Sequence, residues 1–365
     1  MTLGHSLVRL SKSLPATPSP HDCRIGSAQA PCCMSFAALP RIFASRIVPQ
    51  AVAAASVRRL AVLPSSTRLA PRAFTSSSIV KTLSNSGPDR IFPSMTTVFP
   101  TQRLHNKTVL VTGASGGIGK ETAILFARAG CNVILTARRA EELSAAATEC
   151  SLANQQGQTG AGGNFAAITL DMRDRTQLDG LISSLPDWAK DVDILVNNAG
   201  LVLGTDKVGD ISPEEIDVMI DTNVKGLIHL TQIFVKEFKK RNAGHVINLG
   251  SIAGREGYPG GSIYCATKFA VNAFTSALLK ELVDTPIRVT EIQPGMVETS
   301  FSVTRFRGDK DAAGKVYQGL QPLTGQDIAE EIVWAANRPA HVNIAETLVF
   351  PVNQASPYHA YRGGH

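Results

Sequence analysis

The chain has 365 residues, 44% of them hydrophobic and 18% charged, with a formal net charge of +6, a length that allows one domain or two. Residues 1–103 hold twelve Lys and Arg against two acids, Asp22 and Asp89, whereas residues 104–365 hold twenty-four basic and twenty-eight acidic residues. The positive balance therefore belongs to the N-terminal segment and carries no nucleic-acid signal for the rest. The six cysteines include no CxxC pair and no metal-ligand spacing, and no run reaches the roughly 18 apolar residues of a membrane-spanning helix.

Residues 1–103 are rich in Ser, Ala, Pro and Arg and nearly free of acids. That composition cannot bury a core, so a disordered extension is predicted. It is also the composition of an organellar transit peptide, and import into the mitochondrial matrix is the preferred reading. Within it "RAFTSSS", residues 72–78, fits a processing pattern of Arg two residues before the cut. The alternative is a start at Met95, which would leave a complete cytoplasmic protein.

From Lys107 to Gly130, "KTVLVTGASGGIGKETAILFARAG" reads as a short apolar strand, a glycine turn and an amphipathic helix. Gly113, Gly117 and Gly119, with Ile118 between them, would let the backbone approach a pyrophosphate, which the unpaired N–H groups of a helix N-terminus attract. The next strand, "NVILTARR", ends in Arg138 and Arg139, where a unit selective for NAD would place an acid. Two guanidiniums there favour the 2′-phosphate of NADP, with Ser115 as an added hydroxyl donor; solvated surface arginines are the competing explanation. "FAAITLDM" and "DILVNNAG" are further strand-length apolar runs, separated by helical pattern. The repeat predicts an α/β fold: one doubly wound Rossmann domain, residues 104–365, with a central parallel sheet. The insert at 154–164 is predicted to be a mobile surface loop.

"TGASGGIG", "NNAG" and "YCATK" occur in the order and spacing of the short-chain dehydrogenase/reductase family, and the chain resembles it over about residues 104–356. The resemblance implies a set of roles. Tyr264 is the proton donor and acceptor, Lys268 tunes it and binds the nicotinamide ribose, Ser251 positions substrate, and Asn223 holds a relay water. It also places Asn198 by the adenosine ribose, Asp171 with Met172 at the adenine edge, and Pro294, Gly295, Val297 and Thr299 on the nicotinamide side. Physically, a phenol is a sluggish base until a nearby ammonium favours its ionised form, and the spacing of four puts Tyr264 and Lys268 on one helix face. A cofactor sensor without turnover is disfavoured by this intact set. Oligomerisation as a homotetramer through the long helices around residues 213–240 and Tyr264 is what the family implies.

The stretches "GSIAGREGYPGGSIYCATKFAV" and "PGMVETSFSVTRFRGD" and the tail "FPVNQASPYHAYRG" are similar to the NADP-dependent serine and 3-hydroxy acid dehydrogenase branch. A 3-hydroxy acid substrate follows from that likeness, of the L-serine, L-allo-threonine or 3-hydroxyisobutyrate type. A guanidinium in the lid would hold its carboxylate; Arg305 is the candidate, with Arg307 or Arg255 as substitutes. The alternative is reduction of neutral ketones or aldehydes.

Overall fold

The computed structural model describes residues 101–157 and 162–363. The expected extension, with its import signals, lies outside these apart from Thr101–Arg103, a 3-10 turn whose Arg103 donates to the Asn337 carbonyl.

Seven strands form one parallel sheet: β1 (Thr108–Thr112), β2 (Asn132–Ala137), β3 (Phe165–Thr169), β4 (Ile194–Asn197), β5 (His245–Leu249), β6 (Arg288–Pro294) and β7 (Glu346–Val349). Their order is β3-β2-β1-β4-β5-β6-β7, with register such as Val109↔Val133 and Val109↔Ile194. β1 is buried at every position, so it reads as a continuous apolar run rather than an alternating one. Its side chains alternate between two cores: Val109 and Val111 pack with Phe126 and Ile332 on one face, and Leu110 with Phe234 and Phe238 on the other.

Helices α1 (Gly117–Arg128), α2 (Ala140–Gln155) and α8 (Gly325–Ala336) supply the first core. Helices α3 (Arg175–Ser184), α5 (Leu227–Arg241) and α6 (Ser262–Glu281) supply the second. Full burial of a side chain such as Phe126 or Phe234 contributes about 1.5–3 kcal/mol each. A buried polar chain runs through the second core: Asn197 Nδ2 donates to Asn248 Oδ1 at 2.9 Å and to Thr231 Oγ1 at 2.8 Å, and Asn248 Nδ2 donates to Thr275 Oγ1 at 2.8 Å. It ties β4 and β5 to α5 and α6 and so fixes where α6 sits.

The predicted long helix around residues 213–240 is interrupted. α4 (Pro213–Ile220) passes into a π segment, Asp221–Gly226, before α5 begins. At Gly226 a Cβ would lie 2.3 Å from the Met172 carbonyl oxygen, so only glycine permits this packing.

The insert at 154–164 is anchored at both of its described ends. Asn154 is buried at the end of α2, donating to the Ala127 carbonyl and accepting from Gly162 and Gly163; Asn164 pairs with Asn132. The middle of the insert, 158–161, is outside the described residues.

Candidate active site

The strand order reverses between β1 and β4, and the chain leaves β1, β4, β5 and β6 into one crevice at their carboxyl ends. Such a switch point is where open α/β sheets bind ligands. A cavity of about 850 Å³ lies there, lined by Gly113, Gly117, Arg138, Arg139, Ser251, Tyr264, Lys268, Gly295 and Arg305 among others.

At one end is the glycine turn. Gly113 and Gly117 have φ +67° and +54°, and a Cβ on Gly113 would stand 2.9 Å from Asn198 Nδ2 and from Ala199 Cα. A Cβ on Gly119 would stand 2.5 Å from the Gly113 carbonyl oxygen. The turn is therefore tight in a way only glycine allows, and it presents backbone to the cavity. Arg139 Nη2 donates to Ser115 Oγ at 3.0 Å and Nη1 to Glu142 at 3.2 Å. Arg138 and Arg139 are exposed on the same wall. A glycine cradle beside two guanidiniums and a hydroxyl is a donor set that fits a dinucleotide bearing a 2′-phosphate.

Two predicted cofactor residues line the cavity with the Asn198 amide nitrogen and the Asp171 carboxylate already engaged. Asn198 Nδ2 donates to the Thr112 carbonyl at 2.8 Å, locking the glycine turn to β4. Asp171 is paired with Arg173 at 2.8 Å, which holds its carboxyl below the usual range. Pro294, Gly295, Val297 and Thr299 form the opposite wall; the Thr299 side chain would meet a Cβ on Gly117 at 3.3 Å. Ile118 completes the floor.

Tyr264 is in the first turn of α6 and Lys268 one turn on, both facing the cavity. Lys268 Nζ donates to the Leu249 carbonyl at 2.7 Å, which aims the ammonium. Burial lowers its pKa to about 8, opposed by Glu291. Burial away from water raises the pKa of the Tyr264 phenol well above its usual value, helped by Tyr258 and opposed by the hydrogen-bonded Ser251 hydroxyl. Sequence reasoning expects the ammonium to favour the phenolate; in the protein alone, desolvation is the larger effect and keeps the phenol protonated. Ser251 caps a 3-10 turn through Ala253 N at 3.1 Å, so its hydroxyl is fixed in place.

Asn223 is not on the cavity wall. It sits in the π segment, where Oδ1 accepts from Leu201 N at 2.9 Å and Nδ2 donates to the Leu201 carbonyl and to Thr267 Oγ1 at 2.8 and 3.1 Å. Oδ1 and both amide hydrogens are committed to protein, so the side chain braces α6.

The structure separates the three arginines. Arg305, at the end of α7 (Ser300–Arg305), lines the cavity and donates to the Tyr258 hydroxyl and the Gly260 carbonyl at 3.3 and 3.1 Å. Arg307 turns outward to Glu215 and Asp206. Arg255 points to Gln293 and Glu346, behind the sheet's end. Neither substitute reaches the cavity. The tail folds back on its own chain: Tyr358 donates to the Gly257 carbonyl, and Arg362 to the carbonyls of Val316 and Gln318.

A family model described as short chain dehydrogenase matches residues 107–310. This chain belongs to the short chain dehydrogenase family. Its relatives include the NADP-dependent 3-hydroxy acid dehydrogenase of Schizosaccharomyces pombe, 48% identical over 261 residues, 71% of this chain and 98% of that one. The serine 3-dehydrogenase of Agrobacterium fabrum is 39% identical over 256 residues, 70% and 98% of the two chains. Among solved structures, the closed form of a serine dehydrogenase complexed with NADP+ superposes with a TM-score of 0.64 at 41% identity, over 68% of this chain and 96% of that one.

As a short chain dehydrogenase the chain also places residues at the Tyr264 end of the cavity that motif reading passed over. Tyr258, Phe301, Tyr317 and Gln354 all line the cavity. Phe301 packs edge-on against the Tyr264 ring at 5.7 Å, and Tyr317 donates to the Val297 carbonyl at 2.8 Å. Their one signal in the sequence is that three of them fall in the stretches flanking Tyr264 and Pro294 or in the tail.

Proposed function

We propose that this chain is an NADP-dependent oxidoreductase that transfers a hydride between the nicotinamide and the hydroxyl-bearing carbon of a 3-hydroxy acid. The observation that carries the reading is one continuous cavity joining the glycine turn and Arg138/Arg139, through Ser251, Tyr264 and Lys268, to Arg305. Gly113, Gly117 and Gly119 would hold the pyrophosphate, and Arg138, Arg139 and Ser115 the 2′-phosphate.

NADP, when bound, supplies the hydride acceptor or donor that no side chain offers. The Tyr264 phenol exchanges the proton of the substrate oxygen, and the Ser251 hydroxyl orients that oxygen. The Lys268 ammonium favours the ionised phenol when a substrate hydroxyl must be deprotonated. The Arg305 guanidinium meets the carboxylate, which fixes the hydroxyl carbon relative to Tyr264. Asn223 positions α6 through Thr267. The same residues serve oxidation of L-serine, L-allo-threonine or 3-hydroxyisobutyrate and reduction of the corresponding carbonyl.

The test is nicotinamide absorbance with the full chain, the three acids, and NADP or NAD. Turnover with NADP and at least one acid is expected; a silent acid panel would sink the reading. A second reading, reduction of neutral ketones or aldehydes, is favoured by the apolar wall of Leu201, Phe301 and Val303 beside Tyr264. It would be the outcome if NADPH were oxidised only with neutral carbonyls.

Residues 1–103 are assigned to mitochondrial import on composition alone. A C-terminal fluorescent fusion should reach mitochondria; a cytoplasmic signal would support translation from Met95. Assembly as a homotetramer through α4–α5 and α6 rests on their one-sided apolar pattern and on Phe269, exposed on α6. Sedimentation velocity gives the number of subunits directly.

A further inference from the structure

The substrate end of the cavity holds a second phenol. Tyr258 lies on the loop entering α6, six residues before Tyr264, and lines the same cavity. Its ring folds over the start of α6 because Gly261 has no side chain: a Cβ there would stand 2.2 Å from Tyr258 Cε2. The loop is held in turn at Gly260, with φ +72°, where a Cβ would stand 2.7 Å from the Thr205 carbonyl oxygen. Arg305 lies over the Tyr258 ring, Cζ 5.3 Å from its centre, and donates from Nη1 to the hydroxyl at 3.3 Å and from Nη2 to the Gly260 carbonyl at 3.1 Å.

The direction of that hydrogen bond matters. A guanidinium has no acceptor, so the Tyr258 oxygen accepts and its own proton is left over. No acceptor among the described residues takes it. Burial raises the pKa of this phenol, with Arg305 opposing, so it remains a donor at neutral pH. Arg305 Nε is likewise buried with no partner. A charged donor and a neutral donor are thus held together, both on the cavity wall that carries Tyr264. A carboxylate, with two oxygens and about four lone-pair positions, can accept from both at once.

We propose that Tyr258 is a second substrate-anchoring residue, donating its hydroxyl to the carboxylate whose charge Arg305 meets. This rests on the reading of Arg305 as the carboxylate partner and deepens it: the pocket selects a free acid over a neutral carbonyl through a neutral donor as well as a charged one.

The test uses four full-length proteins: the unaltered chain, Tyr258→Phe, Arg305→Ala and the double variant. Each is assayed with L-serine and NADP and, in reverse, with a neutral ketone and NADPH; NADPH binding by fluorescence reports an intact fold. Tyr258→Phe should raise KM for serine about tenfold and reduce selectivity for the acid over the ketone by a similar factor, as loss of one charge-assisted hydrogen bond implies. It should do so in the Arg305→Ala background too. If Tyr258→Phe has no further effect there, the phenol only supports Arg305 and the proposal is overturned. It is also overturned if serine KM is unchanged, or if acid and ketone lose activity in parallel. If Arg305→Ala alone leaves serine KM unchanged while Tyr258→Phe raises it, the Arg305 reading fails and the Tyr258 assignment stands. No turnover of serine or of the other two acids by the unaltered chain would sink both.

Discussion

Lys268 Nζ stands 5.8 Å from the centre of the Tyr264 ring while donating to the Leu249 carbonyl at 2.7 Å, so one backbone oxygen aims the charge that serves the phenol. That ammonium is buried, and its pKa falls to about 8 from an ordinary 10.5. A folded-state pKa below the unfolded one means that the unfolded chain binds more protons between the two. The buried charge therefore weakens the fold fully below about pH 8, and the loss is relieved as pH rises towards 10.5. Lys268→Met should raise the thermal midpoint at pH 7, by the equivalent of at most about 3 kcal/mol, while activity collapses. Calorimetry at pH 7 and pH 10 checks the sign: the gain should shrink at the higher pH, and a midpoint lower than that of the unaltered chain at pH 7 would refute it.

Removing the phenolic oxygen should leave cofactor binding in place and abolish proton exchange. Tyr264→Phe is expected to lower kcat by about 10²- to 10⁴-fold, with NADPH affinity changed only a few-fold. Because burial keeps the phenol protonated at neutral pH, oxidation by the unaltered chain should accelerate as pH rises, whereas reduction should not. Initial rates in both directions from pH 6 to pH 10 provide the comparison.

Coenzyme choice should follow Arg138 and Arg139. Arg139 is held over the glycine turn by Ser115 and Glu142, and Arg138 stands on the same wall. The double substitution to Ala should raise KM for NADP by roughly 10- to 100-fold, as expected for lost hydrogen bonds to a charged group, and leave KM for NAD nearly unchanged. Equal losses for both coenzymes would mean that the pair supports the turn instead.

Closure of the lid should respond to salt. Arg307 donates from Nε to Glu215 Oε1 at 2.8 Å and from Nη2 to Glu215 Oε2 and Asp206 Oδ2 at 2.9 and 2.6 Å. It does so from a left-handed backbone, φ +52°, followed by Gly308 at +97°. Arg307 is exposed and its partners Glu215 and Asp206 are partly so, so their attraction is screened by salt and modest. Arg307→Ala should raise KM for the acid by no more than about fivefold and weaken the rise in KM with salt expected of the unaltered chain between 0.05 and 0.5 M. A variant whose KM climbs with salt as steeply as that of the unaltered chain would place the effect elsewhere.

What the sequence makes legible follows from how local each feature is. β1, the glycine turn and α1 are read from consecutive residues, because apolar run, turn and helix obey short-range rules. Tyr264 and Lys268 share a helix face by spacing alone. The π segment at Asp221–Gly226 is not legible from its neighbours, and Gly226 within it meets Met172 from a distant part of the chain. For the same reason the bonds from Asn223 to Leu201 and Thr267 cannot be read from its neighbours in sequence.

The order of strand, glycine turn, paired arginines and Tyr-x-x-x-Lys determined the doubly wound sheet, the dinucleotide end of the site and the pairing of Tyr264 with Lys268, because each is a contiguous pattern with one physical use. Which arginine faces the cavity was decided only by tertiary structure. Arg255, Arg305 and Arg307 are chemically identical in sequence, and it is the packing of α7 against the Tyr258 loop, with the ion pairs at Glu215, Asp206 and Glu346, that turns one guanidinium inward and two away.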